Sequence, residues 1–163
     1  MGKRRMVFFD LDDQEESIGF GTYALIMYYA KTINETEAKK FFDATLTEYE
    51  YRVNYDMSTD GLTPHNDKAH FNEDEIHDVI TFIENKLVPA LHNEPQDLME
   101  KYVSREHFYG LFYDNRGFLD ILGINNDEFY YGSPDQLIFI INKLKVFLQY
   151  SLSVNKPCQI DVH

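Results

Sequence analysis

The sequence predicts an α+β domain in which about four helices pack on a small, mostly antiparallel sheet. Three helix starts support this fold class, because each pairs a capping side chain with Glu or Gln three residues later: Asn34, Asn72 and Ser133. A short apolar run over 6–11 and a glycine-containing turn over 115–117 supply the strand signals. The chain of 163 residues shows no internal repeat or long linker, so we expect one domain over residues 1–163.

The first part of the chain is predicted to form a strand and two helices. Residues 6–11 have the apolar character of a buried or edge strand. The segment 19–22 opens a helix with Thr22 as its cap, and the residues that follow are apolar on almost every face, so we expect this helix to be buried on more than one side. A second helix follows Asn34, and its apolar residues have helical spacing: Ala38, Phe41, Phe42, Leu46 and Tyr49.

The middle of the chain is predicted to contain a loop and a third helix. The loop covers 54–71, and a short strand around 51–55 is an option. Asn72 then caps a helix whose apolar residues fall on one face: Ile76, Val79, Ile80, Ile83 and Leu87. We expect Pro89 to end or kink this helix, because proline cannot donate a hydrogen bond to the carbonyl four residues back.

The last part of the chain is predicted to contain a hairpin and a long helix. A short helical stretch runs from Pro95 through Tyr102. Residues 108–114 and 118–124 then form a hairpin, with Gly117 adopting the positive φ of its loop. The Ser133-Pro134-Asp135-Gln136 segment starts an apolar helix that runs to about Val154 and packs centrally.

Charge is distributed unevenly along the sequence. The formal net charge is −13, and the segment from Asp43 to Asp78 holds ten carboxylates against two basic residues. This composition argues against a nucleic acid partner, because phosphates are bound by Lys and Arg. Acids opposite the apolar stripe of a helix are often only its solvated face, but the asymmetry of this segment favours a docking surface for a basic partner. The candidate residues are Asp56, Asp60, Asp67, Glu73, Asp74 and Asp78.

Aromatic residues provide a second candidate surface. Tyr130 and Tyr131 precede the long helix, and with Tyr109 and Tyr113 on the predicted hairpin they form a possible partner-facing patch. The alternative is that these rings seal the core against the sheet, since most aromatic side chains in a domain of this size are packed. Tyr130 and Tyr131 are therefore added to the candidate partner-binding residues.

The cysteine content and the hydropathy of the sequence indicate the cellular compartment and exclude some kinds of site. Cys158 is the single cysteine, which excludes an intrachain disulfide and a multi-cysteine zinc site. Cys158 is also a poor nucleophile candidate, because a reactive thiolate needs electropositive surroundings. No uncharged run reaches membrane-spanning length, and acids interrupt the segment after the basic residues 3–5. We expect a cytoplasmic protein with no membrane partner and no cofactor.

An enzymatic alternative arises from the segment Phe8-Phe9-Asp10-Leu11-Asp12-Asp13. An apolar strand that ends in Asp-x-Asp resembles the opening motif of haloacid-dehalogenase-type phosphatases, which implies Asp10 as nucleophile and Asp12 as acid/base beside Mg²⁺. The Thr or Val of that motif is replaced by Gln14, and the alternation of strands and helices is missing. The competing interpretation is a strand end with solvated acids.

Histidines near the acidic segment raise the question of a metal site. His65, His70 and His77 lie near Asp67, Glu73 and Asp74. Glu73 and His77 have the i,i+4 spacing of two ligands on one helix, but a single such pair is common by chance. The competing interpretation is a set of polar surface groups, so the sequence leaves a metal site open.

The N-terminal residues also carry a resemblance to a family. The 8–13 segment, followed by Glu16-Ser-Ile-Gly-Phe-Gly-Thr-Tyr-Ala-Leu-Ile-Met-Tyr-Tyr29, resembles CdiI-type immunity proteins of bacterial contact-dependent growth inhibition systems. The resemblance implies a non-enzymatic protein that binds a cognate toxin domain, most often a basic nuclease, with 1:1 stoichiometry. It implies no residue-level site, because the family shares a role more than a fold. A homo-oligomeric regulatory protein is a further alternative.

Overall fold

The computed structural model describes residues 5–46, 73–102, 104–124, 133–156 and 159–162. Three strands in this part of the chain form one antiparallel sheet: β1 (Met6–Leu11), β2 (Gln14–Gly19) and β3 (Gln159–Val162). The strand order is β2-β1-β3, so β1 lies in the middle. Most of the remaining described residues are helical. The predicted α+β class with a small antiparallel sheet is confirmed, although the helices outnumber the four expected.

Strands β1 and β2 form a tight hairpin that was not predicted from the sequence. Leu11 pairs with Gln14, so Asp12 and Asp13 alone form the turn. Asp12 adopts a positive φ of 53°, a left-handed conformation that aspartate tolerates better than most residues. The hairpin therefore gathers the acids of the turn and of the adjoining strand ends at one end of the sheet.

Helix α1 (Phe20–Ile33) is buried from residue 20 through residue 30, which confirms the expectation of burial on more than one side. The prediction that Thr22 caps this helix was wrong. Gly19 occupies the N-cap position and has no side chain to offer. The backbone N–H of Phe20 donates instead to the carbonyl of Arg5 at 3.0 Å. The residue before β1 therefore accepts a hydrogen bond from the helix N-terminus, as a capping side chain does in other helices.

Helix α2 (Glu35–Thr45) begins at the predicted cap. Asn34 accepts a hydrogen bond from the backbone N–H of Glu37 at 2.9 Å. The Tyr23 hydroxyl of α1 lies 2.8 Å from Oγ1 of Thr45, so a buried hydroxyl pair joins the two helices. Four residues of the predicted apolar stripe are buried: Ala38, Phe41, Phe42 and Leu46. Four predicted features lie outside the described residues: Tyr49, the strand option at 51–55, the loop over 54–71 and the cap Asn72.

One helical segment continues from Glu73 to His92 in three parts: α3 (Glu73–Phe82), a π-helical turn (Ile83–Leu87) and α4 (Val88–His92). Of the two outcomes expected at Pro89, an end or a kink, the helix does not end there but has an irregular π-helical turn immediately before the proline. In a regular α-helix the proline ring clashes with the carbonyl four residues back. Here the N–H of Val88 donates to the carbonyl of Ile83, five residues back, and this wider turn accommodates the proline. The predicted apolar stripe is buried: Ile76, Val79, Ile80, Ile83 and Leu87.

The predicted hairpin over 108–124 was wrong. The segment forms α6 (Arg105–Asp114) and a 3-10 helix (Gly117–Leu122) instead. The helical stretch predicted from residue 95 to residue 102 is shorter than expected, because only α5 (Met99–Tyr102) is helical. Phe108 and Phe112 lie four residues apart and are both fully buried, so the aromatic run follows the helical period rather than strand alternation. The positive φ expected at position 117 is present, at 49°.

Helix α7 (Pro134–Val154) has the predicted bounds. Ser133 and Gln136 form a capping box, in which each side chain bonds the backbone N–H of the other at 3.3 and 3.2 Å. By length and composition α7 is able to cross a membrane, but the core helix of a soluble domain passes the same test. One side of α7 is buried within the domain: Leu137, Ile138, Ile141, Leu144, Phe147 and Leu148.

Aromatic side chains form much of the core. Phe9 of β1 packs edge-on against Phe147 of α7, with ring centroids 6.1 Å apart, so the sheet lies against α7. Tyr28 of α1 contacts Phe108 and Phe112 of α6, each at 5.4 Å. Ring pairs of this kind add about 0.5–1.5 kcal/mol each beyond the area that they bury. The core therefore joins α1, α6, α7 and the sheet.

Candidate partner-binding surface

Three of the predicted partner-binding residues lie on α3, and all three are exposed: Glu73, Asp74 and Asp78. The others lie outside the described residues: Asp56, Asp60, Asp67, Tyr130 and Tyr131. Glu75 is a further exposed acid in the first turn of α3. Acids at a helix N-terminus interact favourably with the helix dipole. The acids in the first turn of α3 are therefore exposed to solvent and also stabilise the helix.

Two salt bridges connect α2 to the segment that begins with α3. Asp78 lies 3.2 Å from Nζ of Lys40, and Lys86 Nζ lies 2.8 Å from Glu37. The side chains of Asp78 and Lys40 are 61% and 41% exposed, and pairs this exposed contribute about 0.2–1 kcal/mol. The bridge to Lys40 means that Asp78 is partly neutralised, which the sequence did not indicate.

A cleft of about 210 Å³ opens beside these bridges, between α2 and α3. Its lining is mostly polar, with buried Val79 as the apolar contribution: Glu37, Lys40, Asp78, Val79 and Thr81. Asp74 lies four residues before Asp78 and therefore on the same side of α3. Within the described ranges, no basic side chain pairs with Asp74.

The Glu73–His77 pair predicted as two possible metal ligands is formed, at 3.8 Å between Oε1 and Nε2. The two side chains are 68% and 60% exposed. Within the part of the chain that the structure describes, no group of three His, Cys, Asp or Glu side chains is placed to hold a metal ion. The other members of the predicted set lie outside the described residues: His65, His70 and Asp67.

Asp10 and Asp12, the alternative catalytic pair, lie on the β1–β2 hairpin. Asp10 is in the middle strand, opposite Glu15 of β2 and Gln159 of β3. Asp12 is in the turn, with its carboxylate 3.2 Å from Nζ of Lys156. Both neighbours of β1 run antiparallel to it, whereas the resemblance to phosphatases implies alternating strands and helices. This placement is the one expected for acids at the end of a hairpin.

The tyrosines expected on a hairpin lie on α6 instead, which corrects the predicted aromatic patch. Tyr109 is buried. Tyr113 is 40% exposed, but its hydroxyl donates to the carbonyl of Ile124, and the guanidinium of Arg116 lies 5.3 Å from its ring. Tyr113 therefore offers a partner an aromatic ring whose hydroxyl is already bonded.

A cluster around Glu94 was not predicted from the sequence. The Tyr29 hydroxyl and Nζ of Lys101 each donate to Oε1 of Glu94 at 2.8 Å, and the Glu94 side chain is only 15% exposed. Burial raises the pKa of Glu94, but the hydrogen bonds from Lys101 and Tyr29 outweigh it and bring the pKa below its ordinary value. No local motif signals the cluster, because Tyr29 and Glu94 are 65 residues apart.

The pKa values of two tyrosines in and beside this cluster are raised. Burial, together with the nearby Glu94 carboxylate, raises the pKa of Tyr29 well above its ordinary value. Burial likewise raises the pKa of Tyr102 to about 12. The cluster joins α1 to α5 and to the loop after α4, so its geometry is that of a packing contact between helices.

Comparison with protein-family models, curated proteins and solved structures finds no match to this chain. A function for this chain is therefore inferred from the chemistry of its described surface. That surface presents carboxylates from two helices beside a polar cleft, an arrangement suited to binding basic side chains.

Proposed function

We propose that the protein is a non-enzymatic immunity protein that binds and neutralises a cognate bacterial toxin domain in the cytoplasm. The observation that carries the proposal is the group of exposed acids in the first turn of α3, at the end of a segment with ten carboxylates against two basic residues. The resemblance of residues 8–29 to CdiI-type proteins supports the same role. A basic nuclease is the partner that best fits, because nucleases bind phosphate through Lys and Arg.

Electrostatics assigns the acids a kinetic role. Charges at the edge of an interface steer the approach of a partner and raise the association rate more than they raise affinity. Salt screens exposed charges over about 8 Å at physiological ionic strength. Glu73 and Asp74 fit this role better than Asp78, because Lys40 already offsets the charge of Asp78.

Co-expression tests the proposal. The chain is produced together with a candidate toxin domain, taken from the C-terminus of any large effector that is found to be encoded next to its gene. We expect the chain to restore the growth of cells that produce the toxin domain, and the two proteins to purify as a 1:1 complex. Growth arrest that the chain does not relieve, with no complex formed, would contradict the proposal.

A charge-reversal pair then locates the surface. Glu73→Lys with Asp74→Lys should slow association about tenfold at low salt, and the effect should shrink as salt is added. Glu100→Lys with Glu106→Lys is the matched control, because these acids are also exposed and also lie in the first turns of their helices, α5 and α6. Equal slowing in both variants would mean that only net charge matters.

A homo-oligomer is the second candidate, favoured by one observation. Phe139 and Val146 are 63% and 59% exposed, and they lie seven residues apart on α7, hence on the same side of the helix. Light scattering over a range of concentrations decides this candidate. Association that Phe139→Glu abolishes would support it, and a constant monomer mass would exclude it.

A further inference from the structure

We draw no further inference here: the strongest candidate, the surface patch that Phe139 and Val146 form on the exposed side of α7, carries nothing beyond the homo-oligomer already considered, because nothing in the described part of the chain shows what covers it.

Discussion

Glu94→Gln removes one charge from a half-buried cluster while keeping an acceptor for the Tyr29 hydroxyl. Tyr29 is 3% exposed and Glu94 is 15% exposed, so water replaces the lost interaction poorly. Hydrogen bonds to a charged group contribute about 1.5–3 kcal/mol, and neutral ones about 0.5–1.5 kcal/mol. Because Lys101 is 45% exposed, we expect a loss of about 1–2 kcal/mol in the free energy of unfolding at neutral pH.

The stability difference should depend on pH in a defined direction. The pKa of Glu94 is lower in the folded protein than its ordinary value of 4.5. Its contribution to stability is therefore fully present above the unfolded pKa and is lost as pH falls through the folded pKa. The difference in unfolding free energy between the wild type and Glu94→Gln should stay constant from neutral pH to about pH 5 and shrink below it.

Urea unfolding followed by circular dichroism at several pH values measures this difference. Glu100→Gln is the control, since Glu100 is exposed on the neighbouring α5 and should change stability by less than about 0.5 kcal/mol. The double variant with Tyr29→Phe should show coupling of about 0.5 kcal/mol or more, because the two residues share a hydrogen bond. A difference that is independent of pH, or no coupling, would refute the assigned role of the cluster.

Three further predictions follow from other parts of the structure. Gly117→Ala should lower the unfolding free energy by about 1–2 kcal/mol in urea titrations, because position 117 has φ of 49°. Absorbance titration should find Tyr29 and Tyr102 ionising well above the ordinary tyrosine pKa of 10, and stability should fall as pH rises above 10, where these groups ionise in the unfolded chain first. The chain should not hydrolyse a generic phosphate ester with Mg²⁺; hydrolysis that Asp10→Asn abolishes would establish the phosphatase alternative.

Helix starts were predictable because their signals are local. The orphan N–H groups at the start of a helix are satisfied by a side chain within a few residues, as at Asn34 and in the capping box of Ser133 and Gln136. Where a cap comes from elsewhere in the chain, this reasoning fails. The start of α1 illustrates the failure, because the partner of Phe20 is the carbonyl of Arg5.

Strands were predicted less well, because their stability depends on partners distant in sequence. The acidic sequence of β2 has little β-propensity, yet Ile18 is buried opposite Val7, and this pairing holds the strand in the sheet. The hairpin predicted over 108–124 shows the opposite error. Aromatic residues favour strands in isolation, but the spacing of Phe108 and Phe112 buries both rings on one side of a helix.

The candidate surface was predictable as a concentration of charge but not as a set of contacts. Exposure of Asp74 follows from the helical period, which places it opposite the apolar stripe, whereas Glu73 lies beside the stripe and is exposed as the first residue of α3. The partner of Asp78 lies 38 residues away on another helix, and that of Glu94 lies 65 residues away. Only the packing of the helices brings such groups together. The sequence alone therefore could not show which acids are neutralised by a basic side chain.

The fold pairs some acids of the acidic segment with lysines and, in the described part of the chain, leaves Asp74 without a basic partner. Acids farther along the same segment pair with lysines of neighbouring helices: Asp78 with Lys40, and Glu84 with Lys145 at 3.4 Å. With 28 acidic against 15 basic residues, the excess negative charge must remain somewhere on the chain. A helix N-terminus is where unpaired acids destabilise the fold least, because the helix dipole favours negative charge there. The negative charge of Asp74 therefore costs the fold little stability, whereas the same charge in the last turn would weaken the helix.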